Sequence, residues 1–473
     1  MKKSLLNLGL TISCAAITLS VAVCAQAQTF TTLGNFTGFN GASPFFGSMV
    51  QSTNGNYYGS TFYGGKNNNY GAIFQLTSAG KLSTLYTFCL LAGCPDGAFP
   101  EVAPILGSDG NFYGTTVSGG NSINAGTVYK MTIGGKLTTL HAFCPTQPCS
   151  DGFGPVGLIQ ASNSNFYGVA GNGGAFNQGT IFELTSTGQF RVLHSFCNQP
   201  GCTTGALPGA SPMQARNGNI YGTTTGGGFH GGGVVYEITP SGSYKALYNF
   251  CSQPNCADGN DSEAALVQDA DGNLYGTTLY GGSYGHGTVF KITPSDQYIV
   301  LHSFDGNDGE TPQSAPTLAN DGNLYGTTTN GNNGGNIYQI TSEGTYTSLY
   351  SFCVCTAYDA AYGLLQGTNG TFYGATADGG THGEGVVYSF STNLGPLVKT
   401  VPTAAKIGAR VIILGNGLTG TTSVTFNGVA ADFTVESDTY IKATVPAGAT
   451  TGTVSVVTPS GTRNSNPQFV VTK

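Results

Sequence analysis

The stretch DGNLYGTT occurs twice without change, at residues 271–278 and 321–328. Its Tyr-Gly pair returns along most of the chain, with the tyrosines at Tyr58, Tyr113, Tyr167, Tyr221, Tyr275, Tyr325 and Tyr373. Successive tyrosines are 55, 54, 54, 54, 50 and 48 residues apart. A regular period of this size predicts tandem copies of one structural unit, so repeated residues are first of all repeated structure.

Each unit contains four short segments rich in aromatic and β-branched residues. In the second copy they lie near residues 102–107, 111–117, 127–132 and 137–143. Turn-forming pairs separate them, namely Asp109-Gly110, Gly119-Gly120 and Gly134-Gly135. Four strands in a unit of about 50 residues predict a blade of a β-propeller.

The two ends of the repeat region complement each other. Residues 29–36, TFTTLGNF, match the fourth strand of a unit but have no unit before them, and the last copy stops after its third strand, GVVYSFS at 385–391. We therefore predict an all-β, seven-bladed propeller in which the N-terminal strand completes the last blade and removes two exposed sheet edges. An open β-solenoid is the rival architecture, but it would not need this exchange.

The repeat unit resembles a known family. The segment DGNFYGTTVSGGNSINAGTVYKMT at 109–132, followed by LTTLHAFC, is similar to the GloVer repeat of Gloeobacter-like and verrucomicrobial proteins. The resemblance covers about residues 29–392. It specifies the repeat and implies no particular activity.

A different composition follows a short linker at residues 393–397. Residues 398–473 contain GARVIILGNG at 408–417, VTFNGVAA from 424 and YIKATVPAGATTGTVSVVT from 440, an alternation that predicts a small β-sandwich. These segments resemble the IPT/TIG immunoglobulin-like domain. The resemblance implies a spacer or binding module of the kind found in bacterial surface and secreted proteins.

The N-terminus has the pattern of an export signal. Lys2 and Lys3 precede an apolar run at 5–25, and Ala25-Gln26-Ala27 is a small-x-small cleavage site, so residues 1–27 are predicted to be a signal peptide. A retained anchor is disfavoured because polar residues interrupt the run. We expect a secreted or cell-surface protein, with the propeller at 28–392 and no membrane span after cleavage.

Charge and composition limit the partners. The chain has 16 Lys and Arg against 23 Asp and Glu, a net charge of -7 that becomes -9 when Lys2 and Lys3 are removed. An acidic chain offers no electrostatic footprint for nucleic acid. We expect a monomer without cofactor, whose partner is an extracellular glycan or protein.

Cysteines form a regular series. Ten remain after the signal peptide, and eight of them form four pairs of equal spacing, each after a fourth strand: Cys89 and Cys94, Cys144 and Cys149, Cys197 and Cys202, Cys251 and Cys256. In an exported chain this spacing predicts one local disulfide in each of these loops. The pair Cys353 and Cys355 would form a strained bridge or stay reduced. Zinc is disfavoured because each pair lacks two ligands, and no metal site is predicted.

No catalytic motif is present, and we predict no catalytic residue. His141, His194 and His302 share one place in the fourth strand, which favours a packing role. Segment 269–273 resembles the start of a calcium loop but lacks the later carboxylates, which favours a turn. Five acidic residues are interpreted as not shared between the units and as solvated loop charge, with general acid or base chemistry as the alternative: Glu101, Asp261, Glu263, Asp308 and Glu310.

Topology predicts where recognition takes place. The Gly-rich loops between second and third strands and the cysteine loops should share one face, opposite the DGN turns, and variable loops on a rigid scaffold are common recognition sites. The candidate ligand-binding residues on this face are Tyr63, Tyr70, Phe176, Phe229, His230, Tyr280, Tyr284, His286 and His382. Aromatic rings beside amides suit sugars or a protein partner, although the rings could instead pack onto their own loops.

Two functions remain open from the sequence. The first is a non-catalytic binding or adhesion protein that uses this loop face. The second is an extracellular polysaccharide-acting enzyme, a hydrolase or lyase, with its site at the propeller channel. The second requires unshared carboxylates such as Glu101, Glu263 and Glu310 to converge in the channel.

Overall fold

A computed structural model describes residues 28–45, 49–66, 69–331, 334–352 and 363–472. Within these ranges the chain is built from β-strands, with two short 3-10 turns at Pro200–Cys202 and Pro254–Cys256. None of the described helical segments has the length and apolar character needed to cross a membrane.

Seven four-stranded antiparallel sheets follow one another in the repeat region, and in the first six each strand pairs with the next one in sequence. The strands of sheets 1 to 3 are Val50–Gln51, Tyr57–Thr61, Ala72–Leu76 and Leu82–Thr87; Ile105–Leu106, Phe112–Thr116, Thr127–Met131 and Leu137–Ala142; and Phe153–Gln160, Phe166–Asn172, Thr180–Leu184 and Phe190–Ser195. Those of sheets 4 to 6 are Met213–Gln214, Ile220–Thr223, Val234–Ile238 and Tyr244–Asn249; Val267–Gln268, Leu274–Thr278, Thr288–Ile292 and Tyr298–Ser303; and Thr317–Leu318, Leu324–Thr327, Asn336–Ile340 and Tyr346–Ser351. Repeated sheets of this kind are consistent with a propeller.

The seventh sheet joins the two ends of the repeat region. Its strands are Leu365–Gln366, Phe372–Thr376, Val386–Ser391 and, from the N-terminus, Thr29–Asn35. The N-terminal strand runs antiparallel to Val386–Ser391, with Phe30 opposite Phe390. The pairing predicted from the sequence is therefore present.

The predicted strands of the second unit are all found, but the first is shorter than predicted. Only Ile105–Leu106 pairs with the second strand, whereas the prediction began at residue 102. The residues ahead of Ile105 border a central cavity and do not extend the ladder.

The Tyr-Gly pair is explained by packing. In six of the seven sheets the tyrosine is buried, and in the seventh it is half-buried. The glycine lies against an aromatic ring of the third strand, so that a Cβ on Gly222 would stand 2.3 Å from the Tyr236 hydroxyl and one on Gly59 would stand 2.4 Å from Phe74. Side chains cannot approach so closely, and glycine is required at this place in each unit.

The turn before the tyrosine explains why Asp and Asn interchange. The Tyr113 hydroxyl donates to Asp109 at 2.9 Å, whereas the Asn217 amide donates to the Tyr221 hydroxyl at 2.7 Å. A hydroxyl can donate or accept, so either side chain completes the same turn. The acid is not needed for its charge.

Neighbouring sheets are linked by glutamines at the ends of first strands. The Gln160 side chain accepts from the Ser108 N–H at 2.8 Å, and Gln51 accepts from the Thr368 N–H at 3.0 Å. The first bond links sheets 2 and 3, and the second links sheets 7 and 1. Sheet 7 therefore contacts sheet 1 in the same way as sheet 3 contacts sheet 2.

Each of the four predicted disulfides is present: Cys89–Cys94, Cys144–Cys149, Cys197–Cys202 and Cys251–Cys256. Cys353 and Cys355 lie outside the described residues. Beside the second disulfide, the Asp151 carboxylate accepts from the Cys144 N–H at 3.0 Å and contacts His141 Nε2 at 2.9 Å.

The three fourth-strand histidines pack as predicted. The rings of His141, His194 and His302 stack on aromatic rings of the next sheet at centroid distances of 3.9 to 4.1 Å. His302 also contacts Asp308 at 2.7 Å. Asp308 thus repeats the role of Asp151, and its interpretation as an unshared carboxylate was wrong.

The C-terminal unit contains two further four-stranded sheets with one common core. Sheet 8 consists of Lys399–Val401, Arg410–Leu414, Phe433–Ser437 and Tyr440–Thr444, and sheet 9 of Ser423–Phe426, Val429–Ala430, Val454–Thr458 and Gly461–Asn464. Ala404–Lys406 and Val470–Thr472 form a parallel pair. Apolar side chains of both sheets, including Ile413 and Val456, form one buried cluster.

This unit packs against the side of the repeat region that carries the DGN turns. Ile412 and Leu414 belong to the same buried cluster as Tyr58 of sheet 1. The Asn466 amide donates to the Leu318 carbonyl at 2.8 Å. The Gly-rich loops connect the opposite ends of the strands, so they lie on the other side.

Candidate functional site

The Gly-rich loops and the loops that enter each sheet form one surface, which we call the loop face. Isolated bridges join the two sets of loops at Ala42 and Tyr63, Ala98 and Ser118, Ala206 and Gly226, Asn260 and Tyr280, and Glu310 and Asn330. The predicted association of these loops is therefore present in the structure.

The aromatic candidates are exposed on this face. Phe229 and Tyr284 expose 72% and 64% of their surface, and Phe176 and Tyr280 about half. Tyr63 and Tyr70, at about 40%, lie edge-on to the ring of Phe99. Packing onto their own loops therefore covers part of the surface of Tyr63 and Tyr70 and leaves the rest exposed.

The histidine candidates differ from one another. His230 is exposed next to Phe229. His286 Nδ1 lies 2.8 Å from Glu310, which links two loops of the face. His382 Nδ1 lies 2.8 Å from the hydroxyl of Thr381 and is exposed.

Four exposed apolar residues of the entering loops were not among the candidates. They are Phe39, Leu90, Leu91 and Leu207, with exposures between 38% and 68%. The pair Leu90-Leu91 lies inside the short Cys89–Cys94 ring. A loop this short cannot fold over two leucines, so the sequence already indicated that they would be exposed.

A central cavity of about 700 Å³ is bounded by the first strands of all seven sheets and by the C-terminal unit. The segment ahead of each first strand runs from the loop face towards the C-terminal unit, so Glu263, Ala265 and Val267 mark three successive layers of the wall. The outer layer is partly polar and includes Gln313, the middle layer has small residues, and the inner layer is mostly aliphatic.

Glu101 and Glu263 interact at the outer layer. They stand at the same place in units 2 and 5, four residues after Gly97 and Gly259, so their interpretation as unshared carboxylates was wrong. Burial raises the pKa of both Glu101 and Glu263 to about 7, and the charge of Glu263 contributes to the shift of Glu101. Burial also raises the pKa of the neighbouring Asp261. Glu310 contacts His286 instead, so the structure brings together two of the three carboxylates that an enzyme would need.

Lys399 borders the opposite end of the cavity and was not a candidate. It stands opposite Leu414 in sheet 8, on the strand face that also carries Val401, and all three line the cavity. Burial lowers the pKa of Lys399 to about 8. Sequence reasoning missed it because it belongs to the C-terminal unit and enters the site only through packing.

The repeat has counterparts among known proteins. The model of the Gloeobacter/Verrucomicrobia repeat matches residues 21–214, 155–388 and 207–435, which together span most of the chain. The chain belongs to the Gloeobacter/Verrucomicrobia repeat family. No curated protein matches this repeat protein.

Solved structures resemble this repeat protein at low identity. A fungal alcohol oxidase of the AA5 family, in complex with copper, is 14% identical and covers 95% of this chain and 100% of its own, with a TM-score of 0.53. The extracellular domain of a putative hybrid two-component system from Bacteroides thetaiotaomicron is 11% identical and covers 92% and 53%, with a TM-score of 0.49. A gluconolactonase from Xanthomonas campestris is 13% identical and covers 61% and 84%, with a TM-score of 0.37. The likeness to the first concerns the fold alone.

The segment that resembles a calcium loop forms a turn in this repeat protein. The Asp269 carboxylate accepts from the Asp271 and Asn273 N–H groups and from the Tyr275 hydroxyl at 2.8 to 2.9 Å. Across the described residues, no group of three or more His, Cys, Asp or Glu is arranged to hold a metal ion.

Proposed function

We propose that the seven sheets are the blades of a closed seven-bladed propeller and that residues 398–473 form an IPT/TIG immunoglobulin-like domain. Two contacts between distant parts of the chain support closure, namely the strand Thr29–Asn35 in sheet 7 and the bond between Gln51 and Thr368. The shared core of sheets 8 and 9 supports the sandwich.

We propose that the protein is a secreted or cell-surface binding or adhesion protein without catalytic activity. Its loop face would recognise a glycan or a protein, and the immunoglobulin-like domain would act as a spacer. Four disulfides in short loops are consistent with export.

The observation that carries this proposal is the exposure of aromatic rings on the loop face. Phe229 and Tyr284 leave most of their surface in solvent on a face otherwise rich in Gly and Asn. Stacking of a sugar ring would cover the exposed faces of such rings, while nearby amides and hydroxyls could bond to its hydroxyl groups. The C-terminal unit packs on the other side and does not cover this surface.

A glycan array with residues 28–473 tests the proposal. We expect binding that falls roughly tenfold in Phe229→Ala and Tyr284→Ala, as for a buried aromatic anchor. Ile299→Ala is the matched control, because Ile299 is 39% exposed on a fourth strand away from these loops. Absence of binding to any sugar, or equal binding by all three variants, would remove the glycan as ligand.

The convergence of Glu101 and Glu263 supports a second candidate, an enzyme acting on extracellular polysaccharide. Two carboxylates with a pKa of about 7 can divide the roles of general acid and base between them. Release of reducing ends from a panel of polysaccharides should then be lost in Glu101→Gln and Glu263→Gln and retained in Glu343→Gln, which alters an exposed turn. No release by the unaltered protein would exclude this candidate for the panel.

A further inference from the structure

The central cavity contains an unpaired cation. Arg216, Glu263 and Lys399 are the Arg, Lys, Asp or Glu residues in the described part of its wall. Arg216 is bonded, because its guanidinium donates to the Ala270 carbonyl at 2.5 Å and to Gln468 at 3.1 Å. For the Lys399 ammonium, no hydrogen bond or ion pair joins it to any described residue.

The neighbours of Lys399 on its own sheet are apolar. Val401 and Leu414 flank it on sheet 8. Facing them is the inner layer of the wall, which includes Ile105 and Val267. An apolar body on an ion that pairs with Lys399 would be buried against these side chains, which favours an amphipathic anion.

The middle layer provides the space for such a body. Small residues occupy it, such as Ala265 and Ala315. A larger residue does not fit at Gly157, because its Cβ would stand 2.0 Å from Ser211 Oγ. About 700 Å³ is within the usual range for a site that encloses a small organic molecule.

The remaining charges limit the ligand to a single negative charge. Glu263 lines the outer end of the cavity and interacts with Glu101, and their charges disfavour the entry of a multiply charged anion. Arg216 keeps its charge because both of its partners are neutral, so Arg216, Lys399 and Glu263 give the described wall a net charge of +1 when all three are ionised, which one negative charge balances. A phosphate or sulfate dianion would remain partly uncompensated.

We propose that the central cavity binds a monocarboxylate with an aliphatic body. The carboxylate pairs with the Lys399 ammonium, and the aliphatic part lies against the inner and middle layers. This site uses neither the loop face nor the two glutamates as reacting groups, so it is independent of the proposed function.

Sodium octanoate is the probe for this proposal, with calorimetric titration of residues 28–473 at pH 7. We expect octanoate to bind, and 1-octanol and octylamine to bind at least tenfold more weakly. Lys399→Met should weaken octanoate binding at least tenfold. Lys406→Met, which removes an exposed charge from the same unit, should leave it unchanged.

The pH dependence provides a second readout. Burial lowers the pKa of Lys399 to about 8, and the anion binds the protonated form, so affinity should fall roughly tenfold for each pH unit above the pKa of the free protein. Binding at pH 8 should take up protons, which titrations in buffers of different ionisation enthalpy measure. The glutamates of the outer end titrate near pH 7 and are already ionised in this range.

Ala265→Phe fills the middle layer and leaves Lys399 in place. Octanoate binding should be lost in this variant while circular dichroism reports the same fold. Equal affinity for octanoate and octanol, full binding by Lys399→Met, or full binding by a folded Ala265→Phe would each overturn the proposal. Absence of octanoate binding to the unaltered protein would also overturn it.

Discussion

His194 provides a test of how a missing partner changes acid stability. In sheet 2 the corresponding residue, His141, contacts a carboxylate that follows the first cysteine of its loop by seven residues. Thr204 stands at that place in sheet 3. His194 Nε2 is consequently buried without a hydrogen-bond partner, and burial lowers the pKa of His194 from 6.5 to about 4.

The lowered pKa of His194 makes the folded protein less stable in acid. Between pH 6.5 and about 4, the unfolded chain binds a proton at His194 and the folded chain does not, so the free energy of unfolding falls as the pH is lowered. One pKa unit corresponds to about 1.4 kcal/mol, so the loss over the whole window amounts to about 3 kcal/mol. Thr204→Asp supplies the carboxylate that sheet 2 has and should remove most of this loss.

Urea unfolding at pH 7.0, 5.5 and 4.5 measures the effect. Relative to the unaltered protein, Thr204→Asp should gain about 2 kcal/mol more at pH 4.5 than at pH 7.0, since most of the window is crossed by then. Thr203→Asp adds the same charge one residue away and should show no such gain. Parallel pH profiles for the two variants, or an ordinary pKa for His194 by NMR titration, would refute the reasoning.

Three further predictions concern packing, redox state and burial. Gly222→Ala places a Cβ 2.3 Å from the Tyr236 hydroxyl and should lower the thermal midpoint, whereas Gly395→Ala, with no atom within 4 Å of the new Cβ, should leave it unchanged. Mass-spectrometric thiol labelling of the unfolded, unreduced protein should leave the eight cysteines of the four disulfides unlabelled, and eight or ten labelled thiols would contradict the pairing. Because burial lowers the pKa of Lys399 to about 8, its ammonium destabilises the fold at pH 7. Lys399→Met should raise the thermal midpoint at pH 7, and this gain should shrink towards pH 10.5; a gain independent of pH would contradict the assignment.

Local pattern predicted the repeat, its strands and its turns, but not the hydrogen bonds that depend on neighbours. The two identical DGNLYGTT stretches differ in this respect. The Tyr325 hydroxyl donates to Asp321 within its own copy, whereas the Tyr275 hydroxyl donates to Asp269, two residues ahead of its copy. Asp269, which lies ahead of the turn at residues 271–273, replaces Asp271 as the partner of the tyrosine, while the turn itself is retained.

The candidate site was predictable where topology alone decides the location. Loops between given strands must lie on a given side, and the exposed ring of Phe229 follows from its place in such a loop. The proximity of Glu101 to Glu263 depends on how sheets 2 and 5 lie around the cavity, which no local pattern encodes. Asp308 was misassigned because its loop is shorter, which hid its equivalence to Asp151.

The strand Thr29–Asn35 has a consequence for the order of folding. It is synthesised before every sheet, yet its partner Val386–Ser391 is synthesised after the first six sheets are complete. Until then the N-terminal strand has unpaired backbone groups, which is the condition under which nascent β-proteins associate wrongly. A chain released before residue 386 can assemble its first six sheets but lacks the partner that binds its own beginning, so folding of the repeat region finishes where it started.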